Sequence, residues 1–370
     1  MNRLYVAHVI STFGLGGMER VALDLADGLR ERGGRGMVVA LAPDGPMGAV
    51  LRAAGVPVFS LPRRHRGYDL GLMLRLRRLL RQEGVNVVHT HNPLALVYGA
   101  VAGRLAKCGV VHTKHGINPG GQRQVALRRY VGRFVDAFVA VSAATAIVAL
   151  AKREIDATRL EVIPNGIDLR RFTLEAGTRA RIRAELGISP DAWVMGTVGR
   201  LVPEKDQATL IRASASLLGE DCRLLLVGDG VEAAALRELA ASLPGGRFVH
   251  FLGARSDVPH LLAAMDVFVL PSLTEGLPLV VLEAMAAALP VVCTPVGGLA
   301  DVVQPGTSGH LVTVGDVEGL RVRLEALRAD PSGTRRMGEQ GRSLARATYS
   351  RETAVDRYVS AYERAFAARS

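Results

Sequence analysis

The fold is decided by residues 267–294, VFVLPSLTEGLPLVVLEAMAAALPVVCT. The run 267–270 is apolar and rich in valine, as expected of a buried strand, and the Pro, Ser, Thr and Gly residues after it predict a turn. Pro278 is a favourable first helical residue, so we expect a helix to begin near Leu277. A second apolar run at 291–294 predicts another strand. Strand, helix and strand in this order indicate a parallel α/β sheet.

Two carboxylates, Glu275 and Glu283, lie around the start of this predicted helix. Its first turn offers free backbone N–H groups and the positive end of the helix dipole, which together favour a phosphate. Carboxylates pair instead with hydroxyl groups, such as those of the sugar and the ribose in a sugar nucleotide. Taken alone, such glutamates can equally compensate the dipole or lie on a solvated face. Glu283 argues against that alternative, because its apolar sequence neighbours mean that the carboxylate needs a partner or a cleft.

The spacing of Glu275 and Glu283 resembles the E-x7-E motif of the retaining glycosyltransferases of family four, also called group 1, which have the GT-B fold. The resemblance covers nearly the whole chain through five further motifs in the family's order: GLGGMERVALDLADGL (14–29), VVHTKHG (110–116), VIPNGIDLRRF (162–172), GTVGRLVPEKD (196–206) and LLLVGDG (224–230). It implies an α/β protein of two Rossmann-like domains whose parallel sheets face each other across a cleft.

The length of the chain, 370 residues of which 49% are hydrophobic, suffices for two domains with separate cores. We expect residues 1–165 to form an N-terminal Rossmann-like domain and residues 166–345 a C-terminal one. The resemblance implies that the first binds the acceptor, that the second binds the nucleotide sugar, and that a helix in residues 346–370 crosses back to the first.

Short apolar runs alternate with helical patterns in two series, which indicates two parallel sheets. The predicted strands are Leu4–Ile10, Met37–Leu41, Val56–Ser60, Val87–Thr90, Val110–Thr113, Phe138–Val141, Leu160–Ile163, Val194–Val198, Arg223–Val227, Phe248–Leu252, Val267–Leu270, Val291–Thr294 and His310–Val312. Ligands of such sheets bind at the carboxyl ends of the strands, so the loops after the strands are the candidate sites.

The loop after the first strand of the second domain carries Arg200 and Lys205. Two fixed cations over a diphosphate would neutralise the charge that grows on the leaving oxygen as a sugar departs, and the resemblance implies this role. The alternative is that they are surface charges that keep a loop soluble. Gly228, after the next strand, lets backbone approach the nucleotide. Arg255 lies in a further loop that we expect to contribute to the base pocket.

The resemblance also assigns the residues around the predicted helix. Glu283 is expected to bind the ribose, and Glu275 is expected to bind sugar hydroxyls together with the backbone around Gly276 and Leu277. With Arg200, Lys205 and His115, Glu275 completes the set to which catalysis is assigned.

In the first domain, Gly16 and Gly17 lie in a glycine-rich loop that precedes a predicted helix. The resemblance places this loop near the phosphate and sugar of the donor, whereas the alternative is a plain tight turn. His115 precedes a glycine after a strand, and the resemblance places it against the donor sugar. A lone loop histidine is more often structural, and we assign no role to His89 or His91.

No metal is expected, because no two aspartates are separated by one residue as in an Asp-x-Asp metal motif. The donor is a substrate, so no cofactor is expected either. The sequence offers no distinct nucleophile and base pair for a double displacement. The resemblance implies retention of anomeric configuration by front-face attack, in which the leaving phosphate accepts the proton of the acceptor.

The excess of positive over negative charge lies entirely in the first part of the chain. Residues 1–165 hold 23 Lys and Arg against 11 Asp and Glu, whereas residues 166–370 hold 23 against 24. Arginines alternate with apolar residues at helical spacing in 63–82 and 123–133, a pattern typical of contact with an anionic membrane. The alternative is an ordinary arginine-rich surface in a chain poor in lysine. Nucleic acid is not expected as a partner, because aromatic residues make up 5% and no recognition motif is present.

Three scattered cysteines in apolar runs, Cys108, Cys222 and Cys293, read as buried thiols rather than a disulfide framework. The apolar stretch at the start of the chain is too short for a signal peptide, and residues 134–151 read as strand, turn and helix rather than as a membrane span. We therefore expect a cytoplasmic protein associated with the inner face of the cytoplasmic membrane.

Taken together, the sequence predicts transfer of a sugar from a nucleotide diphosphate sugar to a hydroxyl of a glycan or lipid-linked acceptor. UDP-sugars are favoured and GDP-mannose is second, and the implied context is bacterial cell-surface polysaccharide, such as lipopolysaccharide or exopolysaccharide. The alternatives are a catalytically inactive sugar-nucleotide-binding subunit and an enzyme of related fold, such as a sugar-nucleotide epimerase or a phosphorylase.

Overall fold

A computed structural model describes residues 4–14, 16–64, 67–118 and 120–369. It divides into two compact units. Unit 1 comprises the residues up to Gly166 together with those from Arg351 onward, and unit 2 comprises Ile167–Ser350.

Unit 1 contains a seven-stranded parallel sheet in the order β3-β2-β1-β4-β5-β6-β7. The strands are β1 (Tyr5–Ile10), β2 (Arg35–Ala40), β3 (Val58–Ser60), β4 (Val87–His91), β5 (Gly109–Lys114), β6 (Ala137–Ala140) and β7 (Leu160–Val162). The helices between them are α1 (Gly17–Glu31), α2 (Pro46–Ala53), α3 (Leu70–Gln82), α4 (Asn92–Leu105), α5 (Gln122–Gly132) and α6 (Ala143–Ala151), followed by a 3₁₀ helix at Ala157–Arg159.

Unit 2 contains a six-stranded parallel sheet in the order β10-β9-β8-β11-β12-β13. The strands are β8 (Trp193–Val198), β9 (Cys222–Val227), β10 (Val249–Gly253), β11 (Val267–Leu270), β12 (Val291–Cys293) and β13 (Gly309–Leu311). The helices are α7 (Thr178–Glu185), α8 (Gln207–Ser214), α9 (Ala233–Ala241), α10 (Val258–Ala264), α11 (Leu279–Ala286), α12 (Leu299–Val302), α13 (Val317–Ala329) and α14 (Pro331–Thr348), with 3₁₀ helices at Leu169–Phe172, Pro203–Lys205 and Gly246–Phe248.

Burial on both faces explains why the central strands are apolar almost throughout. Every residue of β1 and every residue of β9 is buried. In unit 1, Ala7 pairs with Met37 of β2 and with Val88 of β4, which fixes the register of the centre of the sheet. Helices cover both faces of such a sheet, so the strands need no polar alternation.

The last helix, α15 (Arg351–Ala367), belongs to unit 1. Arg351 is buried and forms ion pairs with Asp27 at 2.9 Å and Glu31 at 2.6 Å, both on α1. Tyr358 and Tyr362 are buried further along α15. The side chains of this helix therefore complete the core under α1 and the sheet.

The predicted fold class is confirmed, because both sheets are parallel and doubly wound in the Rossmann manner. The predicted strands are found within two residues of their expected bounds. The three cysteines are free and buried, as expected. Within the described ranges, none of the helices combines the length and apolar composition that a transmembrane helix requires.

One prediction about the helix near Glu275 is wrong in detail. Helix α11 begins at Leu279, and Pro278 precedes it as the N-cap with ψ of 127°, an extended conformation. The Pro278 carbonyl accepts a hydrogen bond from the N–H of Val281 at 3.3 Å, so proline contributes its carbonyl to the first turn without adopting helical angles. Leu277 lies before the helix, because a residue that precedes proline is biased towards extended backbone.

Candidate functional site

The order of strands reverses between β8 and β11 in unit 2, which makes the carboxyl ends of these strands the expected ligand crevice. Lys205 follows β8 and Glu275 follows β11, and the Lys205 ammonium donates a hydrogen bond to Glu275 Oε1. Ser272 Oγ donates to the same oxygen at 2.7 Å. The side chains are 17% and 10% exposed, so this ion pair is largely desolvated but reachable. The structure thus joins two residues that the sequence placed in one site.

The turn that carries Glu275 is held from two sides by backbone contacts. The N–H of Leu273 donates to the carbonyl of Glu204 at 2.9 Å, and the N–H of Gly298 donates to the carbonyl of Gly276 at 2.6 Å. Leu277 is buried, with 5% of its surface exposed. The predicted residues Gly276 and Leu277 therefore form a rigid edge beside Glu275.

Sequence reasoning missed the contribution of Gly297 to this edge. Gly297 has φ of +61°, and a Cβ atom there would lie 2.3 Å from the Glu275 carbonyl oxygen. The sequence contained a signal that could have identified Gly297, because two glycines follow β12 at the edge of the sheet where ligands bind.

The loop of Arg200 packs against the loop of Gly228. Gly228 has φ of +137°, and a Cβ atom there would lie 1.9 Å from the carbonyl oxygen of Gly199. The N–H of Leu201 donates to the carbonyl of Asp229 at 2.9 Å, which ties the two loops together. The close packing of these two loops therefore requires glycine at position 228, independently of any contact with a nucleotide.

Arg200 and Arg255 differ in whether an acidic residue forms an ion pair with the guanidinium group. Arg200 is exposed, and its side chain has no ion-pair partner among the described residues. Arg255 is exposed but forms an ion pair with Asp257 two residues on, at 2.6 Å, which holds the pKa of the Asp257 carboxyl below its usual range. The structure does not bring Arg255 into contact with Lys205 or Glu275.

Glu283 lies on α11 and meets a cation that sequence reasoning missed. Its Oε1 is 3.6 Å from Nη1 of Arg171, in the 3₁₀ helix Leu169–Phe172. The carboxylate is 13% exposed. Arg171 ends the motif at 162–172, so the signal was present in a stretch to which we gave no residue-level role.

In unit 1, Gly16 caps α1 and Gly17 is its first residue. A Cβ atom on Gly16 would lie 2.5 Å from Oε2 of Glu19, a buried side chain in the first turn that also accepts a hydrogen bond from Thr12 Oγ1 at 3.2 Å. The carboxylate already offsets the dipole at this end of α1. A larger residue at position 16 would therefore displace the Glu19 carboxylate.

His115 follows β5, and its imidazole contacts a second histidine. His115 Nε2 lies 2.9 Å from Nδ1 of His91, the last residue of β4. Burial lowers the pKa of His115 to about 4, so its ring is neutral near pH 7. His91 precedes Asn92, a non-glycine residue with φ of +69°, and such strained backbone is often found at functional sites.

His91 in turn contacts His8 of β1, with 3.2 Å between His91 Nε2 and His8 Nδ1. The ring of His89 is tilted by 39° relative to that of His91, with the ring centroids 4.0 Å apart. Sequence reasoning left His91 unassigned and did not consider His8, because these contacts depend on the register between β1, β4 and β5. We call His8, His91 and His115 the histidine relay.

The ring nitrogens of His8, His89 and His91 lie within 4.8 Å of one another, close enough in principle for a metal ion. Both nitrogens of His89 are already engaged, however, with Tyr362 Oη at 2.8 Å and Thr113 Oγ1 at 2.7 Å. We therefore assign no metal to these residues.

The basic stretches of unit 1 are only partly on the surface. Arg128 is buried and forms an ion pair with buried Glu154 at 2.7 Å, and Glu154 also accepts a hydrogen bond from buried Lys114 at 2.8 Å. The expectation of a basic surface is therefore wrong for Arg128, because a buried carboxylate nearby offsets its charge.

Helix α3 presents the opposite case. Leu72, Leu76 and Leu80 face the core, whereas Leu70 and Leu74 are 69% and 58% exposed. Arg78 and Arg81 are also exposed. Residues 70, 74, 78 and 81 recur at helical spacing, so they form one apolar and basic stripe on the surface. We call these four residues the α3 stripe.

Two domains of this construction, with Lys205 and Glu275 joined at the carboxyl ends of β8 and β11 in unit 2, define the GT-B class of fold. The family models agree with this assignment. The model described as Glycosyltransferase Family 4 matches residues 15–171, and the model described as Glycosyl transferases group 1 matches residues 178–344.

Curated relatives cover most of the chain. A UDP-Gal:alpha-D-GlcNAc-diphosphoundecaprenol alpha-1,3-galactosyltransferase of Escherichia coli is 30% identical over 266 residues, 68% of this chain and 68% of that protein. A GDP-mannose-dependent monoacylated alpha-(1-6)-phosphatidylinositol monomannoside mannosyltransferase of Corynebacterium glutamicum is 34% identical over 282 residues, 72% of each chain.

Among solved structures, HepE of Anabaena in complex with UDP-glucose is similar with a TM-score of 0.89 and 25% identity, over 97% of this chain and 99% of that one. The chain belongs to the group 1 glycosyltransferases of family 4. It is therefore an enzyme that transfers glycosyl groups.

Proposed function

We propose that this protein transfers a sugar, with retention of anomeric configuration, from a nucleotide diphosphate sugar to a hydroxyl of a glycan or lipid-linked acceptor. The observation that carries the proposal is the Lys205–Glu275 pair at the carboxyl ends of β8 and β11. A cation for phosphate and a carboxylate for hydroxyls stand side by side there, as a sugar diphosphate requires.

The donor is a UDP-sugar by preference and GDP-mannose as the second candidate. The names of the relatives support this order, because the Escherichia coli galactosyltransferase uses UDP-Gal and HepE was solved with UDP-glucose. The Corynebacterium glutamicum relative is dependent on GDP-mannose, which keeps the second candidate in place.

In this proposal Lys205 and Arg200 bind the diphosphate. Lys205 has three N–H donors, of which one is directed to Glu275. The other two remain for phosphate oxygens, and the exposed guanidinium of Arg200 adds a second cation. These fixed charges stabilise the leaving diphosphate without a metal ion, and no cofactor is required.

Carboxylates then bind the hydroxyls. Glu275 and the backbone of Gly276 and Leu277 bind the transferred sugar. Glu283 binds the ribose, and Arg171, 3.6 Å away, lies beside its carboxylate. Gly228 gives backbone access to the nucleotide, and Arg255 lies at the base pocket.

In this proposal unit 1 binds the acceptor and also contributes residues that contact the donor. Gly16 and Gly17 at the start of α1 lie near the donor phosphate and sugar, and the neutral imidazole of His115 stabilises the reacting face of the donor sugar. The leaving phosphate accepts the acceptor proton on the same face, so configuration is retained.

The α3 stripe supports contact with the anionic inner face of the cytoplasmic membrane. Its leucines enter the lipid interface and its arginines meet anionic headgroups. A lipid-linked acceptor fits such a position, and the Escherichia coli relative acts on a diphosphoundecaprenol-linked sugar. The proposed process is therefore bacterial cell-surface polysaccharide biosynthesis.

A thermal-shift panel of UDP, GDP, ADP and dTDP tests the donor site. One nucleotide at 100 times its dissociation constant should stabilise the wild type by about 2.7 kcal/mol. Glu283→Ala should lose most of this shift, whereas Glu238→Ala, at an exposed position of α9, should keep it. Product analysis by NMR should then show the donor's anomeric configuration. A shift without transfer to any acceptor would identify the inactive sugar-nucleotide-binding subunit instead, and the absence of a shift from every nucleotide would refute the proposed donor site.

Vesicle co-sedimentation tests the membrane contact. The protein should pellet with anionic vesicles at low salt and less at moderate salt, because exposed charges are screened. Arg78→Glu should lower the vesicle partition coefficient about thirtyfold, since reversing one charge near the surface changes binding by about 2 kcal/mol. Arg335→Glu, an equal charge change at an exposed position of α14, should pellet like the wild type. Failure of the wild type to pellet at low salt would refute the contact.

A further inference from the structure

The histidine relay lies in unit 1 and links His115 to the interior through two imidazoles. His115 Nε2 is 2.9 Å from His91 Nδ1, and His91 Nε2 is 3.2 Å from His8 Nδ1. His8 and His91 are fully buried. A neutral imidazole has one N–H donor and one acceptor nitrogen, so each hydrogen bond constrains the proton of the next ring.

All three rings are neutral near pH 7. Burial lowers the pKa of His8 to about 3 and that of His115 to about 4, and it holds the pKa of His91 well below its usual value. Two neutral tautomer arrangements therefore remain. Either the protons point from His8 towards His115, or they point in the opposite direction.

His8 Nε2 distinguishes the two arrangements. This atom is buried and has no hydrogen-bond partner among the described residues. If the protons pointed inwards, from His115 towards His8, then His8 would carry its hydrogen on Nε2, and a buried N–H would be left without an acceptor. If they point outwards, Nε2 has only a lone pair. Orphaned buried N–H groups are the rarer and costlier defect.

We infer that the relay runs outwards: His8 Nδ1–H donates to His91 Nε2, and His91 Nδ1–H donates to His115 Nε2. His91 and His8 are thus positioning residues that fix the tautomer of His115. The remaining hydrogen of His115 is on Nδ1, and its only acceptor lone pair is occupied. His115 therefore offers the substrate a hydrogen-bond donor and cannot act as a general base.

The surroundings of His91 hold its ring in this orientation. His89 lies against it with centroids 4.0 Å apart, and His89 is itself fixed by Tyr362 at 2.8 Å and Thr113 at 2.7 Å. Rotation of the His91 ring would break both bonds of the relay. Positioning of this kind makes a donor ready before the substrate arrives.

The inference rests on the proposed function for the role of His115, but its test does not depend on activity. Long-range ¹⁵N–¹H NMR of the ¹⁵N-histidine-labelled full-length protein at pH 7 separates protonated from unprotonated ring nitrogens. We expect His115 and His91 to be protonated at Nδ1 and not at Nε2. A His115 ring protonated at Nε2 in the wild type would overturn the inference.

Two variants of His91 give a matched comparison. Asn places an amide N–H about where His91 Nδ1 stands, so His91→Asn should keep the Nδ1–H tautomer of His115. His91→Leu removes the donor, so both tautomers should appear and kcat should fall about tenfold, roughly the effect of one misdirected neutral hydrogen bond. Circular dichroism establishes that each variant is folded. An unchanged His115 tautomer in folded His91→Leu would also overturn the inference.

The outcomes for the two proposals are separable. If the wild-type spectrum shows the outward tautomer but no sugar is transferred from any donor, the relay stands and the proposed function fails. If sugar is transferred and His115 is protonated at Nε2, the proposed function stands and the relay fails.

Discussion

Glu275 binds Lys205 with the same carboxylate that is proposed to meet sugar hydroxyls. Its Oε1 accepts from both Lys205 and Ser272, which leaves Oε2 for a ligand. Because the pair is mostly desolvated, its attraction is stronger than that of an exposed pair and the ammonium is held in one place. The residues of this site thus orient one another before they orient a substrate.

The first prediction concerns Glu275→Gln. The amide keeps the shape and an oxygen for Ser272, but it loses the charge that fixes Lys205 and the second acceptor for sugar hydroxyls. We expect kcat in a radiolabelled sugar-transfer assay to fall about a hundredfold, the usual effect of removing one preorganised electrostatic group.

The matched control for Glu275→Gln is Glu204→Gln. Glu204 is exposed and adjacent to Lys205 in sequence, and only its backbone carbonyl contacts the Glu275 turn, so its side chain should not matter. An equal fall in both variants would show that the charge of the loop, rather than the pair, is what the enzyme needs.

At the scale of single residues, the sequence indicated candidate site residues but not the contacts between them. Glu275, Lys205 and His115 could be chosen from motifs, since each follows a predicted strand. His91 could not, because its bond to His115 depends on β4 lying beside β5 with His91 opposite Thr113. A residue's partner across two strands is set by register, which no local pattern contains.

Helix α11 shows a similar limit of sequence-based prediction at the scale of a secondary-structure element. The sequence correctly predicted a helix after β11, but the helix begins at Leu279 rather than near Leu277. Pro278 is extended, and the turn before it is tied to a different loop by the hydrogen bond from Gly298 to Gly276. The proline signal in the sequence was therefore not enough to fix the first residue of this helix.

The second prediction concerns the packing of loops after β8 and β9. In Gly228→Ala the new Cβ would lie 1.9 Å from the Gly199 carbonyl oxygen, at a φ of +137° that alanine rarely adopts. We expect unit 2 to lose more than about 2 kcal/mol of unfolding free energy, because strain and a steric clash add. Urea denaturation followed by the fluorescence of Trp193, the single tryptophan and a residue of unit 2, measures it.

Gly177→Ala separates the steric clash from the backbone strain. Gly177 also has positive φ, +85°, but a Cβ atom there would have nothing within 4 Å. It should lose about 1 kcal/mol, from the left-handed backbone alone. Equal losses in the two variants would mean that the loops of Gly199 and Gly228 can separate at little cost.

For the whole molecule, the architecture was readable from sequence because parallel sheets have a simple rule. Each strand is a short apolar run, and each candidate loop follows a carboxyl end. The reversal of strand order at β1–β4 and at β8–β11 then places Gly16 beside the end of β4 and Lys205 beside the end of β11 within their own units. The alternation of strands and helices therefore located the candidate loops before any contact was known.

The two units differ in how they should respond to acid. Among its described residues, unit 1 holds five histidines whose pKa values are lowered, first of all by burial: His8, His89, His91, His112 and His115. In unit 2, only the half-buried His250 and His310 have lowered values among the described residues. These groups stay neutral in the folded state while the unfolded chain takes up protons below about pH 6.5.

The third prediction follows from this difference. A pKa that is lower in the folded state gives stability that is complete above about pH 6.5 and is lost as the pH falls towards the folded value, about 4 for His115. Each such imidazole can cost up to about 1.4 kcal/mol per pH unit in that window. Between pH 7.5 and 5, unit 1 should therefore lose more stability than unit 2.

Thermal melts by circular dichroism report both units, whereas Trp193 fluorescence reports unit 2. On acidification the midpoint temperatures of the two transitions should separate, and the fluorescence transition should have the higher midpoint. His8→Asn should reduce this difference in midpoint temperature, because it removes one group that takes up a proton on unfolding. Coincident transitions at every pH would mean that the two units unfold as one.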